Sequence, residues 1–260
     1  MAKRSNGNIS ELPVGDIVEK KGVLPILNAP RYSTTLPSNG MNIKFRPFLV
    51  KEEKALMIAM QSNDNKVQLE ALVDILKACI EQEIDFDNMP VFDLEWLFLQ
   101  LRTKSAGDNI DVKIVCSNPD CRQTSIHSVD LSSVECVTSE EHTNKIELTD
   151  NIGIILSYPT LETTVKYDLD KIKNNDVDTM FSMIIDSIEK IYVGDDVYKS
   201  EDISRDEISA FVDSMQSKQF EKVNKFFETM PKCKTDLKWE CVNCKTKNET
   251  SLEGLKDFFG

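Results

Sequence analysis

The chain has 260 residues, with 31 Lys and Arg against 44 Asp and Glu, a formal net charge of −13, and 40% apolar residues. Nine Gly and nine Pro exclude a collagen-like or low-complexity chain, and the length suffices for one or two packed domains. The acidic balance argues against holding nucleic acid by phosphate neutralisation, and apolar stretches such as 152–156 and 183–185 fall far short of the roughly 20 residues of a membrane-spanning helix.

Residues 1–31 carry Pro13, Gly15, Gly22, Pro25 and Pro30 without a helical or strand period, and read as an extended arm. Its start lacks an apolar signal region, so no secretory leader and a reducing cytoplasm are expected. Leu24, Ile26 and Leu27 are too apolar for a solvated tail, and the arm is expected either to lie across a neighbouring protein or to pack on its own domain.

A second region, 32–108, opens with two β-prone runs, Tyr32 to Leu36 and Met41 to Phe45, around the turn residues Pro37-Ser38-Asn39-Gly40. This predicts a β-hairpin, with alternation placing Met41, Ile43 and Phe45 on a buried face. Three amphipathic helices follow. The first, over about 51–61, offers Leu56, Met60, Ala55, Ile58 and Ala59; the second, over about 66–81, aligns Leu69, Leu72, Val73, Leu76, Cys79 and Ile80. The third follows Pro90 and stacks Leu94, Leu97, Phe98 and Leu101, with Trp96 off that stripe and Ala106-Gly107 as its end.

The remainder, 109–260, reads as a mixed α+β region. Strands are expected at 111–115, 125–129, 145–148 and 152–156. A helix over about 176–190 presents Val177, Met180, Phe181, Ile184 and Ile188. The next begins at Ser204-Arg205-Asp206-Glu207, a capping-box sequence, and buries Ile208, Phe211, Val212 and Met215. A last helix presents Phe220, Val223, Phe227 and Met230.

The strongest chemical signal is a pair of short cysteine spacings, Cys116-Ser117-Asn118-Pro119-Asp120-Cys121 and Cys241-Val242-Asn243-Cys244, each between two alternating β-prone runs. Zinc takes four deprotonated ligands in a tetrahedron, and two thiolates a few residues apart on a tight turn supply half of that shell. Cys116, Cys121, Cys241 and Cys244 are therefore the expected ligands of a zinc-ribbon-like unit, with 109–131 and 232–252 closing it across a gap of about 120 residues. Four closed thiolates make a structural metal, since catalytic zinc keeps a position for water. Free thiols at both turns, or separate sites completed by His127 or Cys233, are the competing arrangements. Cys79 and Cys136 read as core residues.

Catalytic signatures are missing from the sequence: no glycine-rich phosphate loop, no HExxH, and only His127 and His142 to serve a nucleophilic triad. The acidic cluster around Asp168, Asp170, Asp176 and Asp178 lacks the glycine of a calcium loop and reads as a solvated face or a helix start. No enzyme activity and no small-molecule substrate are expected. Lysines 104, 113, 234, 238, 245 and 247 and Arg122 around the cysteine turns keep a nucleic-acid-binding zinc ribbon as the alternative.

The segment from Tyr32 to Gly40, running into Met41-Asn42-Ile43-Lys44-Phe45-Arg46-Pro47-Phe48 and Lys51-Glu52-Glu53-Lys54, resembles the opening of the T4-type phage baseplate hub family. The likeness continues through Phe92-Asp93-Leu94-Glu95-Trp96 to about Lys104, and the cysteine-bearing part is similar in longer members from phages of marine cyanobacteria. The resemblance implies a hub subunit or hub assembly factor of a contractile-tailed phage, assembled in the host cytoplasm and acting through contacts with other hub or tail proteins. The arm residues Leu24, Ile26 and Leu27 and the face near Arg46, Lys51 and Lys54 are the candidate contact surfaces, a simply solvated face being the alternative for the three basic residues. The expected architecture is α+β: an N-terminal β-hairpin with helices, plus a zinc-ribbon-like unit closed by distant cysteine pairs.

Overall fold

The computed structural model describes residues 28–62, 64–167 and 176–259. Its described residues form eight α-helices and eleven strands, the strands in four small antiparallel sheets. The arm residues Leu24, Ile26 and Leu27 and the acidic residues Asp168 and Asp170 lie outside the described residues.

Strands β1 (Tyr32–Thr35) and β2 (Asn42–Phe45) pair as a hairpin with Tyr32 opposite Phe45, and Ile43 and Phe45 are buried as the alternation requires. Met41 departs from the expected pattern and is 51% exposed. Its N–H donates to Asn39 Oδ1 at 2.9 Å and its carbonyl accepts from Leu36 N–H at 2.9 Å, so the turn holds this residue and the strand starts one position later.

Helices α1 (Val50–Met60), α2 (Asn65–Cys79) and α3 (Val91–Ala106) complete the first unit. Asp64 caps α2 by accepting from Lys66 N–H at 2.9 Å, and Gly107, at φ +94°, ends α3 in a conformation that a side chain would strain. Of the expected α2 stripe, Leu72, Val73, Leu76 and Cys79 are buried, and Leu69 and Ile80 are partly covered. Helix α1 differs: only Glu52, Leu56 and Ala59 turn inward, and Ile58 and Met60 are exposed. Helix α3 is buried on two sides. Leu94, Leu97, Phe98 and Leu101 join the first core, whereas Leu99 and Trp96 face the third, with the Trp96 indole N–H donating to Thr34 Oγ1 at 3.0 Å.

A second unit is a four-stranded sheet, β6 (Lys145–Glu147), β7 (Ile152–Leu156), β8 (Ile188–Val193) and β9 (Asp196–Lys199), in that order. The short α4 (Leu161–Lys166) lies between β7 and β8, and the sheet is packed by α5 (Val177–Ser187), α6 (Arg205–Asp213) and α7 (Ser217–Thr229). The expected helix over 176–190 stops at Ser187. Ile188 opens a strand there because β7 takes over the backbone pairing, and the two-residue turn at Gly194, φ +62°, folds β9 back with Val193 opposite Asp196. Val177, expected in the core, is exposed. The α6 capping box forms as read: Ser204 Oγ accepts from Glu207 N–H, and Glu207 Oε2 accepts from Ser204 N–H at 3.0 Å. On α7 the buried aromatic is Phe226 at 1% exposure, while Phe227 is only partly covered.

His142 links the loop before β6 to α7. Its ring lies against Tyr158 and Phe226, with Nε2 2.9 Å from Tyr158 Oη and Nδ1 3.0 Å from Thr229 Oγ1. Burial among these groups lowers the imidazole pKa below its ordinary 6.5. The unfolded chain therefore binds a proton that the folded chain resists, and stability present above the ordinary histidine range is lost as pH falls through it. Urea midpoints of wild type and His142→Gln, compared between pH 7 and 5.5, should diverge at pH 7 and converge toward 5.5.

The third unit comprises β3 (Asn109–Val115) paired with β4 (Thr124–Asp130), the sheet β11-β10-β5 made of β5 (Glu135–Val137), β10 (Lys232–Glu240) and β11 (Lys247–Glu253), and the final helix α8 (Gly254–Phe259). Alternating Ile110, Val112 and Ile114 from β3 meet Leu131, Cys233 and Leu252 in its core. No helix among the described residues is long and apolar enough to cross a membrane.

Candidate metal centre

Seven residue pairs in register hold β3 to β4, from Asn109 opposite Asp130 to Val115 opposite Thr124. Seven more hold β10 to β11, from Lys234 opposite Glu253 to Glu240 opposite Lys247. Each hairpin ends in a cysteine pair, and the two ends meet.

The two turns are built alike. The first cysteine of each closes its turn through the backbone: Cys116 N–H donates to Gln123 carbonyl and Cys241 N–H to Thr246 carbonyl, both at 2.9 Å. The residue after each second cysteine adopts left-handed backbone, Arg122 at φ +46° and Lys245 at φ +59°, and among the described residues these are the only non-glycine residues with positive φ. That conformation brings Cβ against the following carbonyl, an unfavourable contact of roughly 1–2 kcal/mol per residue. Both strained positions in the fold thus serve to present a cysteine. Arg122→Gly and Lys245→Gly should each raise stability by about 0.5–1 kcal/mol in urea titration, relief of strain exceeding the added freedom of the unfolded chain.

The four sulfurs form one cluster, all within 4.8 Å of one another. Cys116 Sγ is 3.6 Å from Cys244 Sγ, and Cys121 Sγ is 3.8 Å from Cys241 Sγ. A disulfide would bring two sulfurs to about 2.05 Å. Four sulfurs placed about 2.3 Å from one zinc in a tetrahedron would instead be about 3.8 Å apart. The cluster therefore has dimensions suited to a four-thiolate ion, with Cys116 and Cys241 buried and Cys121 and Cys244 half-buried.

The surrounding groups favour thiolate on one side and resist it on the other. Hydrogen bonding from the Thr246 hydroxyl and backbone N–H brings Cys244 down to about 6, and Thr246 Oγ1 lies 3.2 Å from its sulfur. Burial pushes Cys116 up to about 11. Asn243 Nδ2 donates to Cys121 Sγ at 3.3 Å. Asn248, buried on β11, ties the turns together: its Oδ1 accepts from Ser117 N–H at 2.8 Å and Ser117 Oγ at 2.7 Å, while its Nδ2 donates to Thr246 carbonyl at 2.9 Å. Sequence reasoning missed Asn248, since one asparagine on a polar strand carries no pattern.

The other candidates fall elsewhere. His127 packs 4.5 Å from the Trp239 ring and bonds Ser125 Oγ through Nε2 at 2.8 Å. Cys233 is opposite Cys136 between β10 and β5, deep in the third core, with its thiol directed at Phe92 carbonyl. Arg46 folds inward: Nη2 donates to Glu52 Oε1 and to Ala78 carbonyl, each at 3.0 Å, and Nη1 to Pro47 carbonyl at 3.0 Å. Burial works against the Glu52 charge, but hydrogen bonds from Arg46, Leu49 N–H and Lys51 outweigh it and lower its pKa. Lys51 and Lys54 are exposed. Around the cysteine hairpins, Lys238 pairs with Glu249 at 3.1 Å and Lys232 with Glu253 at 3.6 Å, which reduces the free positive charge there.

No curated protein and no solved structure matches the chain. A family model described as T4 bacteriophage base plate protein matches residues 29–260. That match runs from the first hairpin through both cysteine turns to the last helix, and the chain belongs to the T4 bacteriophage base plate protein family, placing it in the tail of the phage virion.

Proposed function

We propose that the chain is a structural or assembly component of the baseplate hub, acting through contacts with other hub or tail proteins rather than by catalysis, and that Cys116, Cys121, Cys241 and Cys244 hold a structural zinc ion. The family match supports a baseplate role, and the N-terminal resemblance from Tyr32 through Lys54 supports the hub. The observation that carries the metal assignment is the meeting of two matched cysteine turns with sulfurs at tetrahedral spacing. When bound, the ion supplies a cross-link between chain segments 120 residues apart, with every ligand position taken by sulfur. Apolar arm residues Leu24, Ile26 and Leu27, with Lys51 and Lys54, are the proposed partner contacts.

Native mass spectrometry with thiol counting tests the metal. One zinc per chain, and three of the seven cysteines reactive after denaturation with the metal retained, is the expected result; seven reactive thiols and no zinc would refute it. Gradient separation of assembly intermediates from infected cells tests the hub. The chain should co-sediment with hub intermediates, and its confinement to peripheral baseplate pieces would reject the assignment. Removal of residues 1–30 should weaken that co-sedimentation if the arm docks.

A further inference from the structure

We infer that Cys136 and Cys233 form a cross-linking site, two free thiols in the host cell that close into a disulfide after the virion is released, by exchange with small-molecule disulfides of the medium. The site stands on the family's place in the virion, apart from the hub and zinc readings above. The two cysteines are directly opposite one another in the antiparallel pairing of β5 with β10. Opposed residues of such a pair have Cα atoms about 4.5–5.5 Å apart, inside the roughly 4.4–6.8 Å that a disulfide spans, so the bond needs no change of register. No other two cysteines are opposed in a strand register among the described residues. Neither is disulfide-bonded in the structure, and their thiols hydrogen-bond to one another. Position gives the bond its consequence. Strand β5 ends at Val137, β10 begins at Lys232, and the four-stranded unit lies between them in the chain. The pairing of Lys232 to Lys234 with Val137 to Glu135 is thus the neck by which that unit leaves the third one and rejoins it. A covalent tie there closes the neck independently of the cysteine cluster at the far end of β10.

The pair is unequal, which orders the chemistry. Strand β5 is an edge strand and Cys136 on it is only partly covered, whereas Cys233 on the central strand β10 is fully buried. Hydrogen bonding with Cys136 and burial push the Cys233 thiol far above its ordinary range, and the nearby Glu95 and Asp93 carboxylates push it the same way. Cys136 therefore reacts first. Its thiolate attacks one sulfur of the external disulfide, breaking that S–S bond and releasing one small thiol, which takes the proton that Cys136 gave up. Cys233 then gives up its proton and attacks Sγ of Cys136; the mixed bond breaks, and the second small thiol leaves with that proton. Two protein thiols are oxidised as one external disulfide is reduced. In a reducing cell the same exchange runs backward, whereas a released virion lies in an oxidising medium where the bond persists.

The test compares infected cells quenched with trichloroacetic acid before lysis with virions purified in air after lysis. Both samples are alkylated in denaturant with chelator, digested and read by mass spectrometry. Cys136 and Cys233 should both be alkylated in the quenched cells; in virions their alkylation should fall at least tenfold, with a peptide linked through the two in its place. Purified full-length chain exposed to oxidised glutathione should form the same link. Cys136→Ser should leave Cys233 free under that treatment, and Cys233→Ala should trap glutathione on Cys136, each variant confirmed folded by circular dichroism. Two alkylated thiols in virions, a link already present in quenched cells, or Cys136 joined to a different cysteine would overturn the inference. So would absence of the chain from virions, or failure of purified chain to form the link.

Discussion

Cys241→Ser is expected to abolish metal retention and to unfold the third unit well below the melting temperature of the rest. Cys241 is buried, and loss of one of four thiolates would leave the proposed zinc site without its full shell. Structural zinc contributes on the order of 10–16 kcal/mol to small zinc peptides, so even a fraction of that here, on the order of 5 kcal/mol, exceeds ordinary single-residue effects. Both tryptophans, Trp96 and Trp239, pack against the third core, and neither belongs to the second. Trp239 sits in the clamped unit and Trp96 at its joint with α3, so tryptophan emission reports the third core and that joint, while circular dichroism reports all helices. Wild type treated with a strong chelator and the Cys241→Ser protein should show the same early shift in tryptophan emission, followed by a separate helical transition. If the substitution shifts both signals together by less than about 1–2 kcal/mol and chelator has no effect, the cysteines are four ordinary core thiols.

Phe226→Ala should destabilise the protein by about 3–5 kcal/mol, the range for removing a buried aromatic ring. Phe226 stacks 5.2 Å from His142 and 5.5 Å from Tyr158, and meets Phe227 edge-on at 5.0 Å, so its removal opens a cavity at a joint between β6, α7 and the loop carrying Tyr158. Phe227→Ala should cost clearly less, about 1–2 kcal/mol, because that ring is only partly covered. Denaturant titrations followed by circular dichroism distinguish the two, and equal losses would mean that the α7 face is not the one described. The contrast is a direct check on helix register, since the sequence period favours Phe227.

That register error shows where sequence patterns give out. Helices α2, α3 and α6 were legible from their apolar stripes, with Gly107 marking the end of α3 and the Ser204 and Glu207 box the start of α6. The cysteine turns were legible because chemistry restricts what two closely spaced pairs can do. Helix α5 ran too far into β8 on paper because Ile188 is buried in either reading, first as a helical position and then as the start of a strand. The Gly194-Asp195 turn is the signal that marks β8 and β9, and a helical period running to Ile188 does not register it. Asn248 lay beyond reach for a different reason: its value comes from Ser117, which only the folded chain brings to it.

The ribbon is split between 109–131 and 232–252, and the four-stranded unit with its helices occupies the chain between them. Ribosomal synthesis proceeds from one end, so the inner unit emerges whole, with a core drawn from residues 146–227, while the outer hairpin waits with two cysteines and no counterpart. Closure is thus the last local event for this stretch of chain. A polypeptide interrupted before Cys244 would carry a folded insert on an unfinished frame, with Ile110, Val112 and Ile114 uncovered by their later partners. Completion of the four-cysteine cluster coincides with concealment of that sticky strand, so a chain in which the two cysteine turns have met is also one that has finished translating the clamp.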